Sequence, residues 1–198
     1  MSDPRPPLIL ASTSRYRKEL LERLRLPFTA ESPAVDETAV AGESPAALAE
    51  RLAEAKARAV AARHAGHVVV IGSDQVAACA GRRLGKPGTP DRAREQLAAA
   101  SGQVVVFHTA VALVHRGGVE RHRDQTRVRF RSLSPAEIAR YVEIESPLDC
   151  AGSFKSEGLG VALFETIDSE DPTALVGLPL IWLAAALRRA GLDPLSQA

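Results

Sequence analysis

Leu8-Ile9-Leu10-Ala11-Ser12-Thr13-Ser14-Arg15-Tyr16-Arg17-Lys18-Glu19-Leu20-Leu21-Glu22-Arg23-Leu24 is an apolar run that breaks into three hydroxyl residues and then an amphipathic helix, and the rest of the chain is organised around it. Leu8 to Ala11 is short and continuously apolar, the pattern of a buried strand, and it breaks into three hydroxyl residues. Leu20, Leu21 and Leu24 then recur at helical spacing behind Ser14, a residue type that caps helix N-termini. The stretch therefore predicts strand, turn and helix start, with hydroxyls where backbone N–H groups are unsatisfied. Arg15, Arg17 and Lys18 fall in the first helical turn, where positive charge opposes the helix dipole at a cost of about a few tenths of a kcal/mol. A bound anion removes that conflict, and a helix N-terminus after a strand is a physical phosphate site. No Walker-type glycine loop is present, so the stretch reads either as a phosphate site or as a capped helix with solvated arginines.

The same alternation continues outward. Pro27 to Glu31 predicts a second short strand, followed by a polar connection carrying the adjacent carboxylates Asp36 and Glu37. Ser44 with Pro45 opens a helix to about Ala65, and Lys56 lies on its apolar stripe with Leu48, Leu52 and Ala59. A lysine on that face either snorkels to water or points into a cleft. Val68 to Ile71 predicts a buried strand ending in Gly72-Ser73-Asp74-Gln75. Ligands of open α/β sheets collect at such strand ends, although an Asp beside a Gly is also an ordinary turn former.

Val76 to Leu84 predicts a hairpin around Gly81, leading to Gly85-Lys86-Pro87, and Thr89 with Pro90 starts a helix that Gly102 stops. Val104 to His115 and Val119 to Arg131 predict a long hairpin turning at Gly117-Gly118. Arg121, Arg123, Arg127, Arg129 and Arg131 share one parity of its second strand, which a solvated face explains and a nucleic-acid stripe explains less well without interleaved aromatics. Ser134-Pro135-Ala136-Glu137 is a capping box opening a helix to about Glu145. A polar loop, Cys150 to Gly158, precedes a strand from about Val161 to Ile167. The apolar run Leu175 to Leu187 is too short to cross a bilayer and predicts a buried helix. Alternating helices and strands with one long hairpin predict an α/β fold with a mixed sheet.

A chain of 198 residues with 45% hydrophobic residues is expected to form one domain, or two small lobes around one cleft. The balance of 25 basic against 24 acidic side chains gives no support for a nucleic-acid or membrane-surface role based on bulk charge. Met1 to Pro7 lacks the features of a secretion signal and is expected to be an exposed lead-in. Cys79 and Cys150 have neither metal-binding nor redox spacing, and the expectation is reduced thiols in the cytoplasm. Of 25 basic residues only Lys18, Lys56, Lys86 and Lys155 are lysines. An ammonium is a compact point charge that arginine's planar fork does not replace, so the four are candidates for specific work. His64 and His67 have weak metal-like spacing without a Cys or acidic residue nearby in sequence.

The opening stretch, Val35-Asp36-Glu37, Gly72-Ser73-Asp74-Gln75, Gly85-Lys86-Pro87, Gly152-Ser153-Phe154-Lys155-Ser156-Glu157-Gly158 and Val176-Gly177-Leu178-Pro179-Leu180 occur in this order. Together they resemble the Maf family of nucleoside triphosphate pyrophosphatases over nearly the whole chain, and most of all its branch acting on 7-methyl-GTP. The resemblance implies one Maf-type domain over residues 1–198, with an elongated mixed β-sheet flanked by helices and two lobes around a central cleft, as in inosine-triphosphatase-like proteins. It implies hydrolysis of a nucleoside triphosphate to the monophosphate and pyrophosphate with a divalent cation, Mg²⁺ or Mn²⁺, in a cytoplasmic homodimer.

Residue by residue, the resemblance makes Asp74 the proton acceptor and Glu37 with Asp74 the metal carboxylates. Ser12, Arg17, Lys56 and Lys86 match its phosphate-binding positions, and Tyr16, Gln75 and Glu157 those that select the base. 7-Methylguanine is cationic, so an aromatic face and a carboxylate both suit it. Where the 7-methyl-GTP branch typically carries proline then tryptophan, this chain carries Arg15 and Tyr16. The alternatives are a dTTP, UTP or CTP pyrophosphatase of the same family, or a septum-related regulatory or nucleic-acid-binding protein.

Overall fold

Capping signals set most of the helix boundaries. A computed structural model describes residues 5–196, so the first four residues of the Met1 to Pro7 lead-in lie outside the described part. β1 (Leu8–Ala11) is buried throughout, and Ser14 caps α1 (Arg15–Glu22) by accepting from the Arg17 N–H. β2 is only Thr29–Ala30, a shorter strand than the sequence predicts. Ser44 caps α2 (Pro45–Ala61) from its hydroxyl, and the helix ends four residues before the expected Ala65 because its last N–H groups tighten onto i−3 carbonyls. Thr89 caps α3 (Pro90–Ala100), and Ser134 with Glu137 forms the complete capping box of α4 (Pro135–Glu145).

β3 (Val69–Cys79) corrects one expectation. The strand does not stop at Ile71: it runs parallel to β1 over Val69 to Gly72, then turns at Ala80-Gly81 and pairs antiparallel with β4 (Arg82–Leu84). Asp74 is therefore inside a strand, just beyond the register pair Ala11↔Gly72 where β1 ends. β5 (Val104–His115) and β6 (Gly118–Phe130) are the expected long strands. The predicted strand from Val161 begins only at Phe164, as β7 (Phe164–Asp168), because Leu159–Leu163 form a 3-10 turn. The final apolar run divides likewise into a 3-10 turn, Ala174–Val176, the left-handed Gly177, and α5 (Leu180–Arg189). Only one face of α5 is buried, and Ile181 is exposed. The sheet order is β2-β1-β3-β5-β6-β7, with β4 on β3, a mixed α/β architecture as predicted.

The described residues group into two compact units: 5–75 with 109–124 and 171–196, and 76–108 with 125–170. The core of the first is aliphatic, built from Leu8, Leu10, Leu20, Leu21, Val69, Ile71, Leu113, Leu178, Leu183 and Leu187 among others. In the second, Phe107, Phe130 and Phe164 each pack edge-on against Phe154 at 4.7–5.5 Å between ring centroids. Such contacts contribute about 0.5–1.5 kcal/mol each beyond burial. β6 alternates as predicted, with its arginines outward and Asp124, Thr126, Val128 and Phe130 inward. Arg121 is paired with Glu54 and Arg123 with Glu50 in the first unit, and Arg131 with Glu137 in the second, so the stripe is neutralised at three of its five arginines. Among the described residues, no helix is long and apolar enough to cross a membrane.

Candidate active site

The site grows from one close approach of helix to strand. A Cβ on Gly72 would lie 2.2 Å from the Ala53 carbonyl oxygen and 2.5 Å from the Ala57 nitrogen, so only glycine lets α2 lie against β3. Lys56, between those helix positions, is thereby carried to Asp74, two residues along the strand. The helical face that made Lys56 ambiguous in the sequence is buried, and the side chain does not snorkel outward: the residue is 5% exposed and Asp74 7%. Lys56 Nζ donates to Asp74 Oδ1 at 2.7 Å and lies 2.6 Å from Glu37 Oε1, whose side chain is largely exposed. One ammonium thus bridges a buried carboxylate and an exposed one.

Arg17 joins this centre electrostatically. Burial pushes its guanidinium below arginine's ordinary value, while the charges of Asp74 and Glu37 act to raise it. Burial pushes the Asp74 carboxyl above the ordinary aspartate value, against the lowering by Lys56 and Arg17, because desolvation of the carboxylate is the larger effect. A carboxylate that is ion-paired yet raised in pKa is suited to accepting a proton. Arg17 Nε donates to the Gly177 carbonyl at 3.0 Å. Ser12 is buried at the end of β1, and its Oγ accepts from the Ser14 N–H at 3.1 Å. The hydroxyl turn, Arg17 and the carboxylate centre all belong to the first unit.

Tyr16 and Gln75 lie in the same unit. The Arg15 guanidinium carbon sits 4.7 Å from the centre of the Tyr16 ring, and its Nη2 donates to the Tyr16 hydroxyl at 3.0 Å. Arg15 occupies one face of the ring. Gln75 Nε2 faces three acceptors, Thr109 Oγ1 at 2.9 Å and the carbonyls of Ala174 and Leu175 at 3.0 Å. Those carbonyls fix which way its amide points.

Lys86 and Glu157 belong to the second unit, on exposed loops. The Lys86 loop is held by its backbone: the Gly85 carbonyl accepts from Gln96 Nε2 at 3.2 Å, and the Gly88 N–H donates to Leu148 O at 3.0 Å. Gln96 Oε1 accepts from Ser153 Oγ at 2.6 Å, which ties the Lys86 loop to the Gly152-to-Gly158 loop through one side chain. The latter loop is also held at its middle. The Lys155 N–H donates to the Tyr141 hydroxyl, Lys155 Nζ to the Glu145 carbonyl, and Glu145 Oε1 accepts from the Leu159 N–H. Lys155, one of the four lysines, thus does structural work on the loop that presents Glu157.

Sequence reasoning missed Ser73, Gln96, Glu145, Asp171 and Thr173, whose side chains hydrogen-bond to the segments around the predicted site residues. Ser73 Oγ lies 2.8 Å from Ala110 O and 2.9 Å from Gly177 O, fully buried. The spacing Asp171-Pro172-Thr173 ahead of a helix is a local hydrogen-bonding pattern that signals a fixed turn. Gln96 and Glu145 had no local signal, since their partners are distant in sequence. Of the histidines with metal-like spacing, His64 Nε2 lies 3.0 Å from Glu31 Oε1, an acidic partner that only the fold supplies. Among the described residues no three His, Cys, Asp or Glu side chains gather as a metal-holding group.

Fold and site together define a mixed-sheet α/β protein with a centre of alternating charge built on a strand, a helix and a helix N-terminus. Residues 7–190 match the family model described as Maf-like protein, and the chain belongs to the Maf family. It is 58% identical over 191 residues to the 7-methyl-GTP pyrophosphatase of Bordetella pertussis, covering 96% of each chain. It is 61% identical over 189 residues to the 7-methyl-GTP pyrophosphatase of Xanthomonas axonopodis pv. citri, covering 94% of this chain and 97% of that one. A solved structure, the Staphylococcus aureus Ham1 protein, superposes with a TM-score of 0.45 at 13% identity, covering 76% of this chain and 88% of that one, a likeness too distant to bear on function.

Proposed function

We propose that this protein is a nucleotide pyrophosphatase that hydrolyses 7-methyl-GTP to 7-methyl-GMP and pyrophosphate, clearing a modified nucleotide. The reaction class is supported above all by Asp74, a carboxylate buried in a strand and held 2.7 Å from a buried ammonium. The choice of substrate is supported by relatives of that name at 58–61% identity over nearly their full length.

In this reading Asp74 accepts a proton from the water that attacks the α-phosphorus, and pyrophosphate leaves. Arg17 and Lys56 hold phosphate oxygens by charge-assisted hydrogen bonds, and the Ser12 turn presents the α1 N-terminus to the same charge. In the second unit Lys86 takes the role of a phosphate-binding cation. Tyr16, Gln75 and Glu157 select the base. Glu157 accepts from the Watson–Crick edge of a guanine and offers a full negative charge to its methylated, cationic ring.

Asp74 and Glu37 offer hard oxygen donors that both reach Lys56 Nζ. Two carboxylates suit a cation that takes its other ligands from phosphates and water, so these residues fit Mg²⁺ or Mn²⁺ and would hold it. Bound there, such a cation would supply positive charge that offsets the charge of the phosphates. Cytoplasmic residence and a homodimer belong to the same proposal and rest on the family resemblance.

Pyrophosphate release by the purified protein with Mg²⁺ or Mn²⁺ across 7-methyl-GTP, GTP, dTTP, UTP and CTP tests the reading. Selective turnover of 7-methyl-GTP supports it. Preferential turnover of a pyrimidine triphosphate overturns the substrate, and no turnover of any of them overturns the activity.

A further inference from the structure

The segment from Asp171 to Ile181 is tied to itself more densely than a surface connection needs. The Asp171 side chain is buried, and its Oδ1 accepts from the Thr173 N–H at 2.8 Å and the Thr173 hydroxyl at 2.6 Å. Its Oδ2 accepts from the Ile181 N–H at 2.7 Å, in the first turn of α5. Thr173 Oγ1 in turn accepts from the Leu180 N–H at 2.9 Å and lies 2.9 Å from the Leu178 carbonyl. A hydroxyl has one hydrogen, and the shorter, charged acceptor takes it. One carboxylate and one hydroxyl therefore lock both ends of the Ala174-to-Leu178 turn onto the start of α5.

That turn presents three carbonyls to side chains assigned to substrate handling. Ala174 O and Leu175 O receive Gln75 Nε2, and Gly177 O receives Arg17 Nε at 3.0 Å and faces Ser73 Oγ at 2.9 Å. Gly177 has φ +118°, and a Cβ there would stand 3.3 Å from Arg17 Nε. The carbonyl is aimed by a backbone conformation that glycine permits and that the Asp171–Thr173 lock holds.

We infer that Asp171 and Thr173 are positioning residues for the reaction: they touch no substrate but hold the Ala174-to-Gly177 carbonyls that orient the Arg17 guanidinium and the Gln75 amide. The inference rests on the proposed function, in which Arg17 binds phosphate and Gln75 reads the base. An arginine whose Nε–H is bonded to a fixed carbonyl presents its terminal nitrogens in one orientation, so less ordering is left for the bound state. Loss of the lock frees the guanidinium without touching it.

The test compares Thr173→Val, which keeps shape and loses the hydroxyl, with Thr173→Ser, which keeps the hydroxyl. Two readouts are taken, solvent exchange of the nitrogen-labelled Arg17 Nε–H by NMR and kcat/KM for 7-methyl-GTP. Thr173→Val is expected to speed the exchange and to lower kcat/KM by about tenfold or more each, and Thr173→Ser to stay within about threefold of the native protein in both. In an Arg17→Lys, Gln75→Ala background, Thr173→Val is expected to lower kcat/KM by less than about twofold further, because both groups it acts through are gone. Unchanged Nε–H exchange in Thr173→Val, failure of Thr173→Ser to restore it, or a loss of the native size persisting in that background overturns the inference. If Thr173→Val does not fold, Asp171→Asn is put to the same measurements, since one of its two acceptors becomes a donor. The NMR readout needs no turnover, so a native protein inactive on every triphosphate counts against the proposed function while the exchange rates still decide the lock.

Discussion

The two units handle their site residues in opposite ways. In the first, Asp74 and Lys56 sit on a strand and a helix pressed together at Gly72, nearly inaccessible to water. In the second, Lys86 and Glu157 stand exposed on loops, and what holds them is backbone: Gly85 and Gly88 for one, Lys155 and Leu159 for the other, with Gln96 tied to both loops. In the proposed reading the proton-handling pair Asp74 and Lys56 is fixed by packing, where a small displacement is costly, and Glu157 is mounted on a pinned loop, where a side chain can change without disturbing a core. Damage at Asp74 should therefore end the reaction, and damage at Glu157 should redirect it.

The largest expected effect is that of Asp74→Asn, which lowers kcat by about a thousandfold with the circular-dichroism spectrum retained. Near-native turnover would mean that the buried pair is only structural, and the contrast between the units would fail. Glu37→Gln comes next: it leaves the Asp74–Lys56 pair in place and is expected to weaken Mn²⁺ binding by about tenfold or more, read by calorimetry or paramagnetic resonance. Unchanged Mn²⁺ affinity would remove Glu37 from the metal set. Glu157→Gln is expected to lower the preference for 7-methyl-GTP over GTP by about tenfold while kcat for GTP moves less than about threefold. A collapse of kcat for both substrates would instead place Glu157 with the chemistry.

The smallest effect concerns the second unit's own stability. The Ser134 N–H and hydroxyl, with Arg131, hold the Glu137 carboxyl down at about 2. A depressed carboxyl stabilises the fold fully above its unfolded value near 4.5 and loses that contribution as pH falls toward about 2. The melting temperature of Glu137→Gln should therefore lie below that of the native protein at neutral pH, with the gap narrowing below about pH 4.5 and closing only toward about pH 2. A gap that persists unchanged in acid would assign the loss to packing.

Features fixed by a few neighbouring residues were readable from the sequence. Ser14, Ser44, Thr89 and Ser134 each cap the helix that their position announced, because a cap depends only on N–H groups two or three residues away. The Ala80-Gly81 turn, with φ of 47° and 77°, was equally local. What depends on distant partners was not readable. Ile71 was not the end of its strand because β4 returns to pair beyond Asp74, and the first residues of the strand expected from Val161 belong to the 3-10 turn Leu159–Leu163. Lys56 and Asp74 could each be singled out, one for its apolar helix face and one for its place after an apolar strand. Their meeting depends on Gly72, and nothing in the sequence near either residue says that α2 packs on that backbone. Asp124, on the inward parity of β6, was a signal left unread: a lone carboxylate on a buried face must have a partner, and it accepts from the Asp171 N–H at 3.2 Å.

In the proposed reaction, water attacks the α-phosphorus of 7-methyl-GTP with Asp74 as its proton acceptor. The most direct measurement is a single turnover in water enriched in heavy oxygen, with the products resolved by mass spectrometry. The label is expected in 7-methyl-GMP with pyrophosphate unlabelled, and neither product should form at an appreciable rate with Asp74→Asn. Label in pyrophosphate, or release of orthophosphate in its place, would rule out attack at the α-phosphorus.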